Sequence, residues 1–85
     1  MEYVIAVFSV RTETLMFNKY LQKLGINSTV INTPKEAHTS CGICVKFPFH
    51  FFPTVKKASL NGYRSFVGFF VVSKFGSRLS VLPAK

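Results

Sequence analysis

From Glu2 to Phe8 the chain is apolar on both alternating faces, which predicts a strand buried on two sides in the middle of a sheet. Ser9 stands where a helix cap belongs. Beyond it Phe17, Tyr20, Leu21 and Leu24 recur at helical spacing while Lys19, Gln22 and Lys23 face elsewhere, so a helix is expected over roughly 11–24. Gly25 supplies a residue that turns left-handed at no steric cost, and Ile26 can close back on Leu21 in a Schellman contact.

Ser28 to Asn32 predicts a short second strand. It stops at Thr33-Pro34, because proline cannot donate to a ladder and restricts the residue before it. After a polar loop from Lys35 to Ser40, alternation resumes with Ile43, Val45 and Phe47 on one face, a third strand linked to the second as a hairpin. Pro48 ends it. Pro53 sits where the first turn of a helix tolerates it, and Phe51, Val55 and Ala58 follow at i, i+4 and i+7, which predicts a short helix ending at Asn61-Gly62. Phe66 to Phe75 is again strand-like and apolar on both faces, and residues 76–85 read as a basic, loosely ordered tail.

The order β-α-β-β-α-β predicts an α+β, ferredoxin-like sandwich, an antiparallel sheet with two helices on one face. Residues 1–75 form the single domain of this reading and residues 76–85 its C-terminal tail. The second face of the sheet would then expose apolar side chains, which predicts a homodimer or an obligate partner. The alternative is that Leu79, Val81 and Leu82 of the tail fold back over that face.

Composition sharpens this picture in three ways. At 85 residues there is material for one core only, and the ten phenylalanines supply the large apolar side chains that so small a domain needs. The net charge of +8 is spread from Arg11 to Lys85 with no block of five cations, so it favours acidic partners without indicating nucleic acid or membrane. The apolar N-terminal stretch ends at Arg11, too early for a signal peptide, and no run reaches the ~18–20 residues of a membrane span, so a cytoplasmic location is expected.

The candidate chemistry lies in Ser40-Cys41-Gly42-Ile43-Cys44. Two thiols at C-x-x-C spacing reach a common metal or close a small disulfide, but they cannot staple distant parts of a secreted chain, and a reducing compartment fits them better. In thioredoxin-like proteins the first cysteine opens a helix; here the residues after Cys41 read as strand, and that mechanism is lost. Cys41 belongs to the polar loop, whereas Cys44 shares a strand face with Lys46. Positive charge from Lys35, His38 and Lys46 would favour the Cys41 thiolate, and Gly42 lets a partner approach. Against this, many free cysteines are simply small buried hydrophobes, the reading that suits Cys44. A zinc set of His38, Cys41, Cys44 and His50 has the ligand types but not an obvious geometry, and a chain so rich in apolar residues has little need of a structural metal.

Other chemistries lack their residues. There is no phosphate loop and no nucleophile elbow, and Glu2, Glu13 and Glu36 offer no paired carboxylates. The segment Arg64-Ser65-Phe66-Val67-Gly68-Phe69-Phe70-Val71 superficially matches an RNA-binding strand motif, but it falls on the last expected strand and its glycine is misplaced, so these aromatics read as core and nucleic acid is not the expected partner.

The run Thr33-Pro34-Lys35-Glu36, then Ser40-Cys41-Gly42-Ile43 and Val45-Lys46, resembles the Putative Se/S carrier protein-like family of small bacterial proteins. Val7-Phe8-Ser9, Leu24-Gly25-Ile26 and Phe47-Pro48 extend the resemblance over roughly residues 3 to 60. It implies that Cys41 carries sulfur or selenium as a persulfide or selenopersulfide, with no cofactor, exchanging it with a donor or acceptor protein. Cys44 departs from the family pattern, where a small residue is common; it is either a resolving thiol or a neutral replacement. The expected role is that of a carrier, with a pure interaction module whose cysteines are structural as the alternative.

Overall fold

A computed structural model describes residues 2–37, 42–58 and 62–84 of the chain. The first strand, β1 (Glu2–Phe8), buries Val4, Ile5, Ala6, Val7 and Phe8 completely, as a strand with apolar residues on both faces must. It lies in the middle of one antiparallel sheet of five strands: β2 (Thr29–Asn32), β3 (Ile43–Pro48), β1, β4 (Phe66–Phe75) and β5 (Arg78–Ala84), in that spatial order. Two helices complete the fold, α1 (Arg11–Lys23) and α2 (Phe52–Lys57), with short 3-10 turns at Lys35–Ala37 and Phe49–Phe51.

Alternation along β1 and β3 sorts the apolar side chains into two layers. Val4, Ala6 and Phe8 of β1, Val45 and Phe47 of β3 and Phe69 of β4 pack with Phe17 and Leu21 of α1 and Val55 of α2, so both helices cover the same face. Ile5, Val7, Cys44 and Val72 point the other way and pack with Ala37 of the first 3-10 turn. At the heart of the helical layer Phe8 stands 5.1 Å from Phe17, 5.5 Å from Tyr63 and 5.3 Å from Phe66, ring to ring, all in tilted arrangements that aromatic quadrupoles favour.

The exit of α1 follows the expected chemistry. Gly25 adopts φ +81°, its N–H donates to the Gln22 carbonyl at 3.0 Å, and the Ile26 N–H donates to the Leu21 carbonyl at 3.0 Å, the paired bonds of a Schellman motif. Its entry does not. The N-cap is Val10, with no side-chain capping bond, and Ser9 instead donates its backbone N–H to the Ser65 carbonyl at 2.8 Å. Glu13, in the first turn, accepts from both the Ser65 N–H (2.9 Å) and the Ser65 hydroxyl (2.7 Å), tying the approach to β4 onto α1.

These bonds from Ser65 hold the Glu13 carboxyl below its ordinary value of 4.5. A lowered folded-state value means that stability is present above the ordinary carboxylate range and is lost as pH falls through the lowered one. Glu13→Gln should therefore flatten the acid side of a melting-temperature profile taken from neutral pH downwards. A variant whose loss of melting temperature matches that of the wild type would leave the Ser65 contact without energetic weight.

Three expectations need correction. The sheet has five strands, not the four of a ferredoxin-like β-α-β-β-α-β sandwich, because most of residues 76–85, expected to be loosely ordered, forms β5. It pairs with β4 from Phe75↔Arg78 to Phe69↔Ala84 around a tight turn in which Gly76 takes φ +61°. The second helix is shorter than expected, since Ala58 is already extended at ψ 142°; residues 59–61 lie outside the described part. The other face of the sheet is not bare either: Leu79 and Val81 of β5 pack against its apolar layer, while Leu82, opposite Val71, is 63% exposed.

Candidate functional site

Strand β2 ends where Pro34 removes a donor, and the chain then makes one 3-10 turn, closed by the Ala37 N–H on the Pro34 carbonyl at 3.1 Å. Ala37 is the buried residue of this turn and anchors it on the second sheet face beside Ile5, Val7 and Cys44. The Thr33 N–H donates to the Gly42 carbonyl at 3.0 Å, and Asn32 pairs with Ile43 immediately beyond. The hairpin is thus pinned at both its last strand pair and its loop base. Cys41, His38 and Ser40 lie outside the described residues; the frame that carries them does not.

Around that frame the described candidates separate. Lys35 is exposed on the 3-10 turn. Gly42 is exposed as well, with φ outside the left-handed region and no atom within 4 Å of where a Cβ would stand, so the chain next to Cys41 can be approached. Thr33 holds, among the described residues, the buried side-chain oxygen without a hydrogen-bond partner, Oγ1, at the base of this loop.

Cys44 is fully buried in the second-face layer, as the reading of it as a small hydrophobe expects. It shares its face with Lys46, as alternation requires. At ~3.3 Å per residue, four strand positions place Lys46 about 13 Å along β3 from Gly42. Its Nζ sits 4.4 Å from the centroid of the Tyr3 ring. Burial pushes the Tyr3 hydroxyl above its ordinary value, and Cys44 nearby adds to that shift.

His50 is exposed in the second 3-10 turn, its ring 4.2 Å from that of Phe51. Strand β3 runs between Cys44 and His50, about 13 Å from Cys44 to Pro48 alone at strand rise, so the four-ligand zinc set is not assembled by this hairpin. Among the described residues no three His, Cys, Asp or Glu side chains converge as metal ligands. The aromatics of the RNA-motif segment are used inside the protein: Phe66 and Phe69 pack in the helical layer, 5.0 Å apart, and are not presented as a stacking platform. Among the described residues no helix is long and apolar enough to cross a membrane.

One feature of the second face was not anticipated from the sequence. A cleft of about 460 Å³ opens around Tyr3, Lys46, Val72 and Leu79. It draws on all five strands or their flanks, so no contiguous stretch of sequence announces it; the only local sign was the alternation that sends Lys46 to the face opposite Phe47.

No curated protein and no solved structure matches the chain. The family described as Putative Se/S carrier protein-like does match it, over residues 2–58, from β1 through α2 and across the whole hairpin that holds the cysteines. On the strength of that match, which covers more than half of the chain and includes both cysteine positions, the chain belongs to the Putative Se/S carrier protein-like family.

Proposed function

We propose that this protein is a sulfur or selenium carrier whose working group is the Cys41 thiol, with Lys35, His38, Ser40 and Gly42 forming its immediate surroundings. The observation that carries this reading is the family match across residues 2–58, joined to a loop whose base is held by the Thr33–Gly42 bond. The Cys41 thiolate attacks the outer sulfur of a donor persulfide; the new S–S bond forms on Cys41 as the donor's S–S bond breaks, and the donor leaves as its thiolate. Passing the sulfur on to an acceptor is the same exchange in reverse. A reducing, cytoplasmic setting keeps the thiol available for it.

Lys35 supplies positive charge beside the loop, which favours the thiolate and an acidic docking partner. Lys46 extends the positive charge of this hairpin onto the second face, where its ammonium lies over the Tyr3 ring. Burial of Cys44 supports a structural part for it and leaves transfer to Cys41 alone. The strand order with both helices on one face supports a ferredoxin-like arrangement extended by one edge strand. A homodimer through the second face, beside the cleft, is a further reading, favoured by the half-buried state of Phe70 and Val81 there.

Intact mass after treatment with glutathione persulfide tests the carrier reading. The wild type should gain one sulfur atom, lost again on adding a reducing thiol; Cys41→Ser should gain none and Cys44→Ser should behave as the wild type. An unmodified wild type, or an adduct that persists in Cys41→Ser, would overturn it.

A further inference from the structure

The cleft on the second sheet face has a composition that points to a ligand. Tyr3 of β1 lines it together with Val72 of β4 and Leu79 of β5. Lys46 on β3 and Lys74 on β4 stand on the two strands that flank β1, and both alternate onto the Tyr3 face. The one carboxylate at the rim, Glu2, is already engaged, accepting from the Ser73 hydroxyl at 3.0 Å. Two ammonium groups and one occupied carboxylate around an apolar lining leave the cleft cationic, in a chain that itself carries +8.

Its volume of about 460 Å³ lies within the ~300–1,000 Å³ of small-molecule sites, and like them it combines an apolar lining with a few polar groups at the edge. An ammonium already rests over the Tyr3 ring at 4.4 Å. We infer that this cleft binds a small aromatic carboxylate, its ring held among the apolar lining of Tyr3, Val72 and Leu79 and its charge drawn to Lys46 and Lys74. The inference does not rest on the carrier reading, because the cleft lies about 13 Å along β3 from Gly42 and uses no atom of the loop. Aromatic area gives the affinity, since flat rings bury much surface with little entropy to lose, and the lysines give the preference for an anion.

Titration of the full chain with 2-naphthoate, followed by NMR, tests it against the uncharged 2-naphthamide. Naphthoate should shift the ring signals of Tyr3 and the methyl signals of Val72 and Leu79, and should bind about fivefold or more tightly than the amide at low salt, with the margin shrinking as salt rises. The double variant Lys46→Gln, Lys74→Gln should lose that margin, while Lys46→Arg with Lys74→Arg should keep it. Equal binding of acid and amide, shifts confined to another part of the surface, or no shifts at millimolar probe would each overturn the inference. The Cys41→Ser protein should bind naphthoate as the wild type does, which separates this outcome from the fate of the carrier reading.

Discussion

Phe8→Ala should cost about 3–5 kcal/mol of folding stability, the range for removing a large aromatic side chain from a packed core. The chain as a whole holds roughly 4–13 kcal/mol at ~0.05–0.15 kcal/mol per residue, so this one change should bring the protein to the edge of unfolding near room temperature. The expected size follows from position. Phe8 is fully buried and contacts rings from three separate parts of the chain: Phe17 of α1, Tyr63 ahead of β4, and Phe66 at the bulge where the β1–β4 register shifts. A cavity there has walls from a helix, a loop and two strands, which cannot all close in together. Urea unfolding followed by far-ultraviolet circular dichroism would measure it. A loss below about 1 kcal/mol would mean that the site collapses freely and that the ring cluster does not hold the helical layer to the sheet.

Ending the chain at Gly76 should cost about 2–4 kcal/mol, because it removes the half-buried Leu79 and Val81 from the second-face layer and uncovers Val72 and Phe70 beneath them. It also turns the free ladder groups of β4 to solvent along a strand rich in Phe and Val, an edge of the kind that recruits other chains. The shortened protein should therefore show a lower urea midpoint and a higher mass in solution, measured by light scattering after size exclusion. If midpoint and mass both stay unchanged, the segment contributes nothing to the fold and behaves as a loose tail after all.

How far the sequence carries depends on how local the determining chemistry is. The β1 strand was legible because five consecutive buried positions admit no amphipathic helix, and the end of α1 because Gly25 and Ile26 form a motif complete within six residues. The β4 strand was legible from its β-branched and aromatic residues on both alternating faces, although only Phe69 and Val72 of it are buried. The β5 strand was not, because Leu82-Pro83 interrupts its alternation; what makes it a strand is its neighbour β4, although Phe75-Gly76-Ser77-Arg78 did carry a two-residue hairpin signal that was passed over. The Ser9 cap failed because Ser65, distant in sequence, competes for that corner through the Ser9 N–H and the Glu13 carboxylate. The face of Cys44, shared with Lys46, followed from alternation; its burial there did not, because the apolar layer that covers it comes from Ile5 and Val7 of β1, Val72 of β4 and Ala37. Lys46 stands apart from Gly42 for a geometric reason: the two are close in sequence, but an extended strand converts four residues into distance.

The bond from Thr33 to Gly42 has a consequence for how the molecule can vary. Because it fastens Thr33 to Gly42 beside the Asn32–Ile43 pair, the register of β3 against β2 is set at the base of this connection. Strand β3 itself has no such latitude: one inserted residue would swing the Lys46 ammonium among Phe17 and Leu21 and throw Phe47 outward. Within this hairpin, changes of length are thereby confined to residues 34–41, where they leave the strand pairing beneath unaltered.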